Sequence, residues 1–193
     1  MTRLSIVVPT VSRPTLKRTL DSIAPQLHEG EEGDEVIVIG DGHQPDAKAL
    51  VANYGPNFWY THTAPTGHWG NEQRNKGMDI AIGTHICFMD DDDVYTPGAL
   101  DAIRETIEEH GEDRPLMFKM LWYDHELVLW RTPDLYVGNV GTPMFVVPND
   151  PWALGRYTER YQGDYDWITS TLLKYKPGDL VWIDHVICHC RPK

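Results

Sequence analysis

The sequence predicts an α/β domain with a mixed, mostly parallel central sheet and helices on both faces. Short apolar runs alternate with stretches whose apolar residues recur at helical spacing. The runs LSIVV (4–8) and EVIVIG (35–40) are apolar almost throughout, which is typical of strands in a parallel sheet covered on both faces. A chain of 193 residues can bury a substantial core, so we expect one domain over 1–193.

The first 114 residues repeat a strand and a helix four times. After the strand at 4–8, apolar residues at helical spacing predict the first helix: Leu16, Leu20, Ile23 and Leu27. After the strand at 35–40 we predict a helix over 46–54, a strand over 57–62, a helix over 71–82, a strand over 84–89 and a helix over 97–110. Thr96 and Pro97 are typical of an N-cap followed by proline at the first helical position.

After residue 114 the pattern is mixed rather than a further repeat of the same unit. Two apolar stretches on either side of Asp124 and His125 predict a pair of strands. The predicted elements of this half are strands over 115–123, 126–131 and 144–148, a helix over 164–175 and a strand over 180–189.

The composition excludes some classes of partner and compartment. The formal net charge is −12, with 29 acidic and 17 basic residues, which argues against binding nucleic acid or an anionic membrane. There are three cysteines, an odd number, and Cys87 lies in an apolar strand, so a reducing compartment fits better than a disulfide framework. The sequence has no signal-like leader and no run of 18 apolar residues. We expect a cytoplasmic protein without a transmembrane segment.

Four consecutive aspartates, Asp90 to Asp93, follow the predicted strand at 84–89. Adjacent carboxylates repel one another, and the cap of the next helix needs only one side chain. A hard divalent cation would turn this repulsion into attraction because it takes oxygen ligands. The run therefore favours a metal site.

Polar residues also follow the first two strands, at Pro9-Thr10 and at Asp41. Ligands of parallel sheets bind at the carboxyl ends of the strands, so these residues would share one crevice with the aspartates if the three strands are neighbours. The sequence contains neither a P-loop nor a dinucleotide-binding glycine motif after strand one. Phosphates would then be held by a metal on the aspartates.

Four segments together carry a family resemblance. They are SIVVPTVSRPTLKRTLDSI (5–23), VIVIGDG (36–42), QRNKGMDIAIGTHICFMDDDD (73–93) and GDYDW (163–167). In their residues and order they resemble family 2 glycosyltransferases of the GT-A fold, over most of 4–175. The resemblance implies an inverting hexosyltransferase that moves a sugar from a nucleotide-sugar, expected to be a UDP-sugar, to a carbohydrate or other hydroxyl acceptor.

The resemblance also implies which residues contact the donor. The implied nucleotide-binding residues are Pro9, Thr10, Asp41, Arg74, Asn75, Asp90 and Asp91. Among them, the residues at the ends of the first two strands would hold the nucleobase and ribose. The family often has two aspartates after strand two, whereas Gly40 takes the first position here. We expect 1–114 to be the nucleotide-sugar-binding half and 115–193 the acceptor-binding half.

A divalent cation, Mn²⁺ or Mg²⁺, is the implied cofactor. Asp90 and Asp92 match the Asp-x-Asp metal motif, with Asp92 as the direct ligand. A histidine near the end of the chain, His189 or else His185, is expected to complete the coordination. A zinc site in the same segment is not favoured, because alternation on a strand places the two histidines on the face opposite Cys188 and Cys190.

The implied catalytic base lies at the start of the helix predicted over 164–175. Asp164 matches the family's base, but the glutamate that often precedes it is Gly163 here, so Asp166 stays open as an alternative. Asp164 could also serve only as a helix cap. Aromatic rings can pack on the C–H faces of a sugar, and Trp122 and Trp167 are the candidate acceptor contacts.

Two other functions compete with glycosyl transfer. The run DDDDV (90–94) matches the nucleophile motif of haloacid-dehalogenase-type phosphatases, with Asp90 as nucleophile, although that motif usually opens its domain. A module that binds a nucleotide-sugar or a glycan without turnover is the other alternative. Release of nucleoside diphosphate from a nucleotide-sugar distinguishes an enzyme from such a module.

Overall fold

The computed structural model describes residues 2–30, 33–122 and 127–192. Within these ranges the chain forms a nine-stranded sheet surrounded by helices. The strands are β1 (Leu4–Thr10), β2 (Glu35–Asp41), β3 (Phe58–Thr63), β4 (His85–Phe88), β5 (Val94–Tyr95), β6 (Leu116–Trp122), β7 (Leu127–Leu129), β8 (Phe145–Pro148) and β9 (Val181–Cys190). The α-helices are α1 (Leu16–Ile23), α2 (Pro45–Val51), α3 (Asn71–Ile80), α4 (Ala99–His110) and α5 (Gly163–Leu172).

The sheet is mixed and mostly parallel, as the sequence predicts. Its strands lie in the order β3-β2-β1-β4-β8-β6-β9-β5, and β7 pairs antiparallel with the last three residues of β6, off this order. The strands β1 to β4 are parallel to one another, and β6 is parallel to β9. The strand β1 lies between β2 and β4, so the chain order reverses there and the carboxyl ends of these three strands meet at one edge.

Most predicted elements occur within a few residues of their expected bounds. The predicted turn at Asp124-His125 lies outside the described residues. One strand was missed, and one local expectation is wrong. The sequence did not predict the two-residue strand β5, which pairs with β9. Thr96 does not cap α4, because its hydroxyl donates to the carbonyls of Val186 and Ile187 in β9, at 3.1 and 3.2 Å.

The first strand is buried along its whole length, and helix α3 packs closely on one of its faces. Gly77 of α3 lies so near Val7 that an added Cβ would be 2.3 Å from Val7 Cγ1. From the sequence alone, this glycine indicates only a lower helix propensity. The structure shows that it allows α3 to approach the sheet and so fixes the position of Arg74 one turn earlier.

In Gly77→Ala the extra methyl group overpacks the contact with Val7, which is expected to cost about 1–3 kcal/mol. Alanine in a helix interior gains roughly 1 kcal/mol, so we expect the free energy of unfolding to fall by up to about 2 kcal/mol. Urea denaturation measures the difference. In a Val7→Ala background the same substitution should be neutral or stabilising. Equal cost in both backgrounds would contradict the packing argument.

Candidate active site

A cavity of about 660 Å³ opens at the carboxyl ends of β1, β2 and β4. Its size is that of a pocket for a small organic ligand. The loops before α3 and α5, the segment after β7 and the end of β9 complete its wall. The predicted site residues that line it are Pro9, Thr10, Asp41, Arg74, Asp90, Asp91, Asp92, Trp122 and Asp164. The crevice expected from the sequence is therefore present, and it also contains the candidate base.

The four aspartates after β4 point to different partners. Asp91 is buried and turns towards the end of β1, where its carboxylate accepts hydrogen bonds from the Thr10 hydroxyl at 2.7 Å and the Val11 amide at 3.3 Å. It also forms an ion pair with Arg13. Asp91 thus ties the aspartate run to β1.

The other three aspartates form a cluster. Asp90, Asp92 and Asp93 can each place one oxygen atom within 4.8 Å of the other two. Asp93 is buried and accepts a hydrogen bond of 2.9 Å from the Arg191 amide, and Asp92 lies 3.1 Å from Arg191 Nε. Burial, together with the charge of Asp90, raises the pKa of Asp93 to about 7. Such crowding of carboxylate oxygens fits a hard divalent cation, which would relieve their repulsion.

Arg74 lines the cavity although its side chain is almost fully buried. Its guanidinium forms an ion pair with Asp90 and donates to the Trp69 carbonyl at 2.9 Å. Asn75, the next residue, does not line the cavity; its side-chain amide bonds the backbone N–H and C=O of Tyr157, both at 3.0 Å. Asn75 therefore holds the segment before α5 against α3.

Asp41 lies at the end of β2 and lines the cavity. Its carboxylate accepts hydrogen bonds from the backbone amides of Thr66 and Gly67, at 2.6 and 2.8 Å, and from the Gln73 side chain at 3.1 Å. Asp41 thus anchors the loop that precedes α3, in addition to facing the predicted nucleotide pocket.

The two candidate bases lie in different surroundings. Asp164 lines the cavity, and its carboxylate accepts a hydrogen bond of 2.7 Å from the Tyr165 amide. Burial raises the pKa of Asp164, although the Tyr165 amide and the charge of Arg74 oppose this shift. Asp166 is outside the cavity lining and is bound to Arg160 and the Thr158 hydroxyl, and the Arg160 contact lowers its pKa. Of these two carboxylates only Asp164 lines the cavity, and its role as the base stays a prediction.

The two histidines of β9 are not among the described residues that line the cavity. His185 is exposed, whereas His189 is buried and lies opposite Val94 of β5. The pairing of β9 with β6 is irregular between Trp182 and Cys188, so simple alternation does not hold there. In the described part of the chain, the carboxylate cluster includes neither histidine. Metal ligation by a histidine stays a prediction.

The two predicted acceptor tryptophans differ in position. Trp122, at the end of β6, is half-buried and lines the cavity. Trp167 is fully buried and packs against the rings of Phe88, Phe145 and Tyr157, with centroids 4.9, 5.1 and 4.8 Å away. Trp167 therefore belongs to the hydrophobic core.

Sequence reasoning missed several residues that line the cavity. Asp93 could have been predicted as a metal ligand because it belongs to the aspartate run, but the family motif includes only Asp90 and Asp92. Other missed lining residues include Arg13, Trp69, Arg131, Tyr161, Cys190 and Arg191. They come from several distant segments, and no local pattern in the sequence marks them.

Comparison with solved structures identifies the class of fold. The structure of Staphylococcus aureus TarS residues 1–349 in complex with UDP-GlcNAc matches with a TM-score of 0.77 at 18% identity, covering 99% of this chain and 58% of that one. The TarS complex with UDP matches with a TM-score of 0.75 at 19% identity, covering 99% and 60%. The fold is the GT-A fold, as the resemblance implies.

Sequence comparison then identifies the family. A model of glycosyl transferase family 2 matches residues 5–169, and the chain belongs to this family. Over 115 residues the chain is 31% identical to the GalNAc(5)-diNAcBac-PP-undecaprenol beta-1,3-glucosyltransferase of Campylobacter jejuni, covering 56% of this chain and 36% of the relative. Over 112 residues it is 33% identical to a PGL/p-HBAD biosynthesis glycosyltransferase of Mycobacterium bovis, covering 55% and 42%.

The region that these curated relatives share with this chain spans less than half of their own length. Among the described residues, each helix falls short of the combined length and apolarity that crossing a bilayer requires.

Proposed function

We propose that the chain transfers a sugar from a nucleotide-sugar, a UDP-sugar, to a hydroxyl group of an acceptor, with inversion at the anomeric carbon and with a divalent cation. One observation carries the proposal: the carboxylate cluster of Asp90, Asp92 and Asp93 and the separate carboxylate of Asp164 line one cavity. Family membership and the TarS complexes with UDP-GlcNAc and UDP support it.

The residues around the aspartate cluster fit a divalent cation and a diphosphate. Asp92 and Asp90, with Asp93, supply the oxygen ligands that Mg²⁺ or Mn²⁺ prefers. When bound, the cation supplies Lewis-acid stabilisation of the leaving diphosphate. The guanidiniums of Arg13 and Arg191 lie at the rim of the cluster and are half-exposed, so they are placed to contact phosphate oxygens.

In this proposal Asp164 removes the proton from the attacking hydroxyl. Its raised pKa makes it a stronger base than an exposed aspartate, and it has no ion-pair partner within the described residues that would neutralise it. A single base opposite the leaving group implies in-line displacement, and hence inversion. The donor would occupy mainly the part of the cavity built by 1–114 and the acceptor mainly the part built by 115–193, beside Trp122.

Family membership argues against the phosphatase alternative. A module that only binds a nucleotide-sugar is tested by turnover. The protein is incubated with a panel of nucleotide-sugars, with Mn²⁺, with Mg²⁺ or with chelator, and release of nucleoside diphosphate is measured. We expect release from a UDP-sugar with the cation. Binding of the donor without any release, in the presence of an acceptor extract, would identify a binding module.

UDP is expected to raise the melting temperature only when a divalent cation is present. A ligand at a hundred times its dissociation constant stabilises the native state by about 2.7 kcal/mol. For a chain of 193 residues this corresponds to a shift of roughly 5–10 °C. Differential scanning fluorimetry with UDP alone, cation alone and both together measures it. The same shift with UDP in chelator would contradict the role of the cation.

A further inference from the structure

Two exposed aromatic side chains, Trp69 and Tyr161, lie together at the cavity. Trp69, in the loop before α3, is 56% exposed, and Tyr161, in the segment before α5, is 72% exposed. Their rings pack edge to face with centroids 5.8 Å apart, and both residues line the cavity. Single exposed aromatic residues are common, but a pair from distant segments that meets at the mouth of a cavity is typical of a binding surface.

The backbone of Trp69 is held in an unfavourable conformation. Its φ is 50°, in the left-handed region that a bulky side chain rarely adopts. The neighbouring Gly70, with φ of 80°, lies so close to Pro9 that an added Cβ would be 2.9 Å from Pro9 Cβ. The buried guanidinium of Arg74 fixes the Trp69 carbonyl. Strain of this kind persists where the surroundings impose it, and it is concentrated at functional sites.

The loops that carry the two rings are tied to each other. Asn71, which is buried, donates hydrogen bonds from its side-chain amide to the carbonyls of Thr158 and Arg160, at 2.7 and 3.0 Å. These bonds join the start of α3 to the segment that contains Tyr161. The pair is therefore set in place before a ligand arrives, which reduces the entropy lost on binding.

We infer that Trp69 and Tyr161 form a binding surface for a sugar ring of the acceptor; this inference rests on the proposed function. Tyr161 precedes the candidate base Asp164 by three residues, and a reacting hydroxyl must come within about 2.6–3.2 Å of that base. An acceptor that reaches Asp164 thus lies beside the ring pair. The flat faces of aromatic rings offer apolar area to the C–H face of a pyranose. The acceptor class is accordingly a carbohydrate rather than an aliphatic alcohol.

The test measures binding of simple sugars to the UDP-bound protein. Saturation-transfer NMR is recorded with methyl β-glycosides of glucose, galactose and N-acetylglucosamine in the presence of UDP and Mg²⁺. Trp69→Ala and Tyr161→Ala should weaken the best-bound glycoside on the order of tenfold. Tyr161→Phe keeps the ring and should bind nearly as well as the wild type. Trp152→Ala is the matched control, because Trp152 is 90% exposed and outside the cavity lining.

Each other outcome overturns the inference. If the alanine variants bind glycosides as the wild type does, or if the wild type binds none of the three, the pair is not an acceptor surface. If the variants instead lose UDP affinity by a similar factor, the rings stack on the nucleobase. Donor turnover separates these results from failure of the proposed function: a wild type that releases UDP from a UDP-sugar but shows any of these patterns refutes the ring-pair inference alone.

Discussion

Asp164→Asn is expected to reduce sugar transfer by at least about a hundredfold, because general-base catalysis is typically worth about 10²–10⁴-fold. The substitution keeps the size of the side chain and an oxygen that can accept the hydrogen bond from the Tyr165 amide. It also replaces a half-buried charge with a neutral group, so folding should not suffer. We expect an unchanged or slightly higher melting temperature, near-normal UDP affinity and slow release of nucleoside diphosphate from a UDP-sugar.

Asp166→Asn is the matched control for this experiment. Asp166 lies two residues later, outside the cavity lining, where it binds Arg160 at the surface. Its loss should change the transfer rate only slightly. The reverse pattern, an inactive Asp166 variant with a fully active Asp164 variant, would make Asp166 the base. If both variants transfer at the wild-type rate, the proposed mechanism is wrong.

The raised pKa of Asp164 also predicts how transfer depends on pH. Only the ionised carboxylate can accept the proton. Because burial raises its pKa above the ordinary value of 3.8, the rate should begin to fall at a higher pH than an exposed aspartate would give. The acidic limb of the kcat/KM profile reports this value for the free enzyme.

Removal of the divalent cation is the second change for which we expect a large loss. Lewis-acid stabilisation of a leaving phosphate is worth several kcal/mol, so transfer in chelator should fall by about a thousandfold or more. Asp92→Asn removes one negative charge from the carboxylate cluster and keeps the size of the side chain. We expect this variant to need on the order of 10- to 100-fold more Mn²⁺ for half-maximal rate.

Asp46→Asn controls for the loss of a carboxylate elsewhere on the protein. Asp46 is exposed at the start of α2 and is outside the cavity lining. Its variant should show the wild-type dependence on Mn²⁺, measured as UDP release over a cation titration. Full activity of the wild type in chelator would show that Arg13 and Arg191, rather than a cation, stabilise the leaving group.

The sequence predicts the fold well because strand and helix patterns are local, and because parallel strands place their carboxyl ends together. Pro9, Asp41 and Asp90 could be placed in one crevice on the condition that their strands are neighbours, which the structure shows. The orientation of each aspartate could not be predicted, because it depends on partners far along the chain. Thr10 holds Asp91 across 81 residues, and the Arg191 amide holds Asp93 across 98.

The same limit explains the wrong expectation for Thr96 and the different positions of the aromatic residues. The Thr96 hydroxyl bonds carbonyls of β9, about 90 residues later, instead of capping α4. Trp167 packs against Phe88 and Phe145 in the core, and no local sequence pattern predicts these contacts. Trp69 is exposed, and its backbone is held by Arg74 and by the close approach of Gly70 to Pro9, neither of which a local pattern shows.

The distribution of charge around the aspartate run affects the order in which ligands bind. The four acidic side chains from Asp90 to Asp93 are countered by the guanidiniums of Arg13, Arg74 and Arg191, and burial raises the pKa of Asp93 to about 7. A free divalent cation therefore meets little uncompensated negative charge. In the proposed mechanism the diphosphate of the donor supplies the additional negative charge that the cation needs. Cation and donor therefore each raise the protein's affinity for the other by the same factor. In this proposal the cation and the donor bind cooperatively, and the cavity is filled only when both are present.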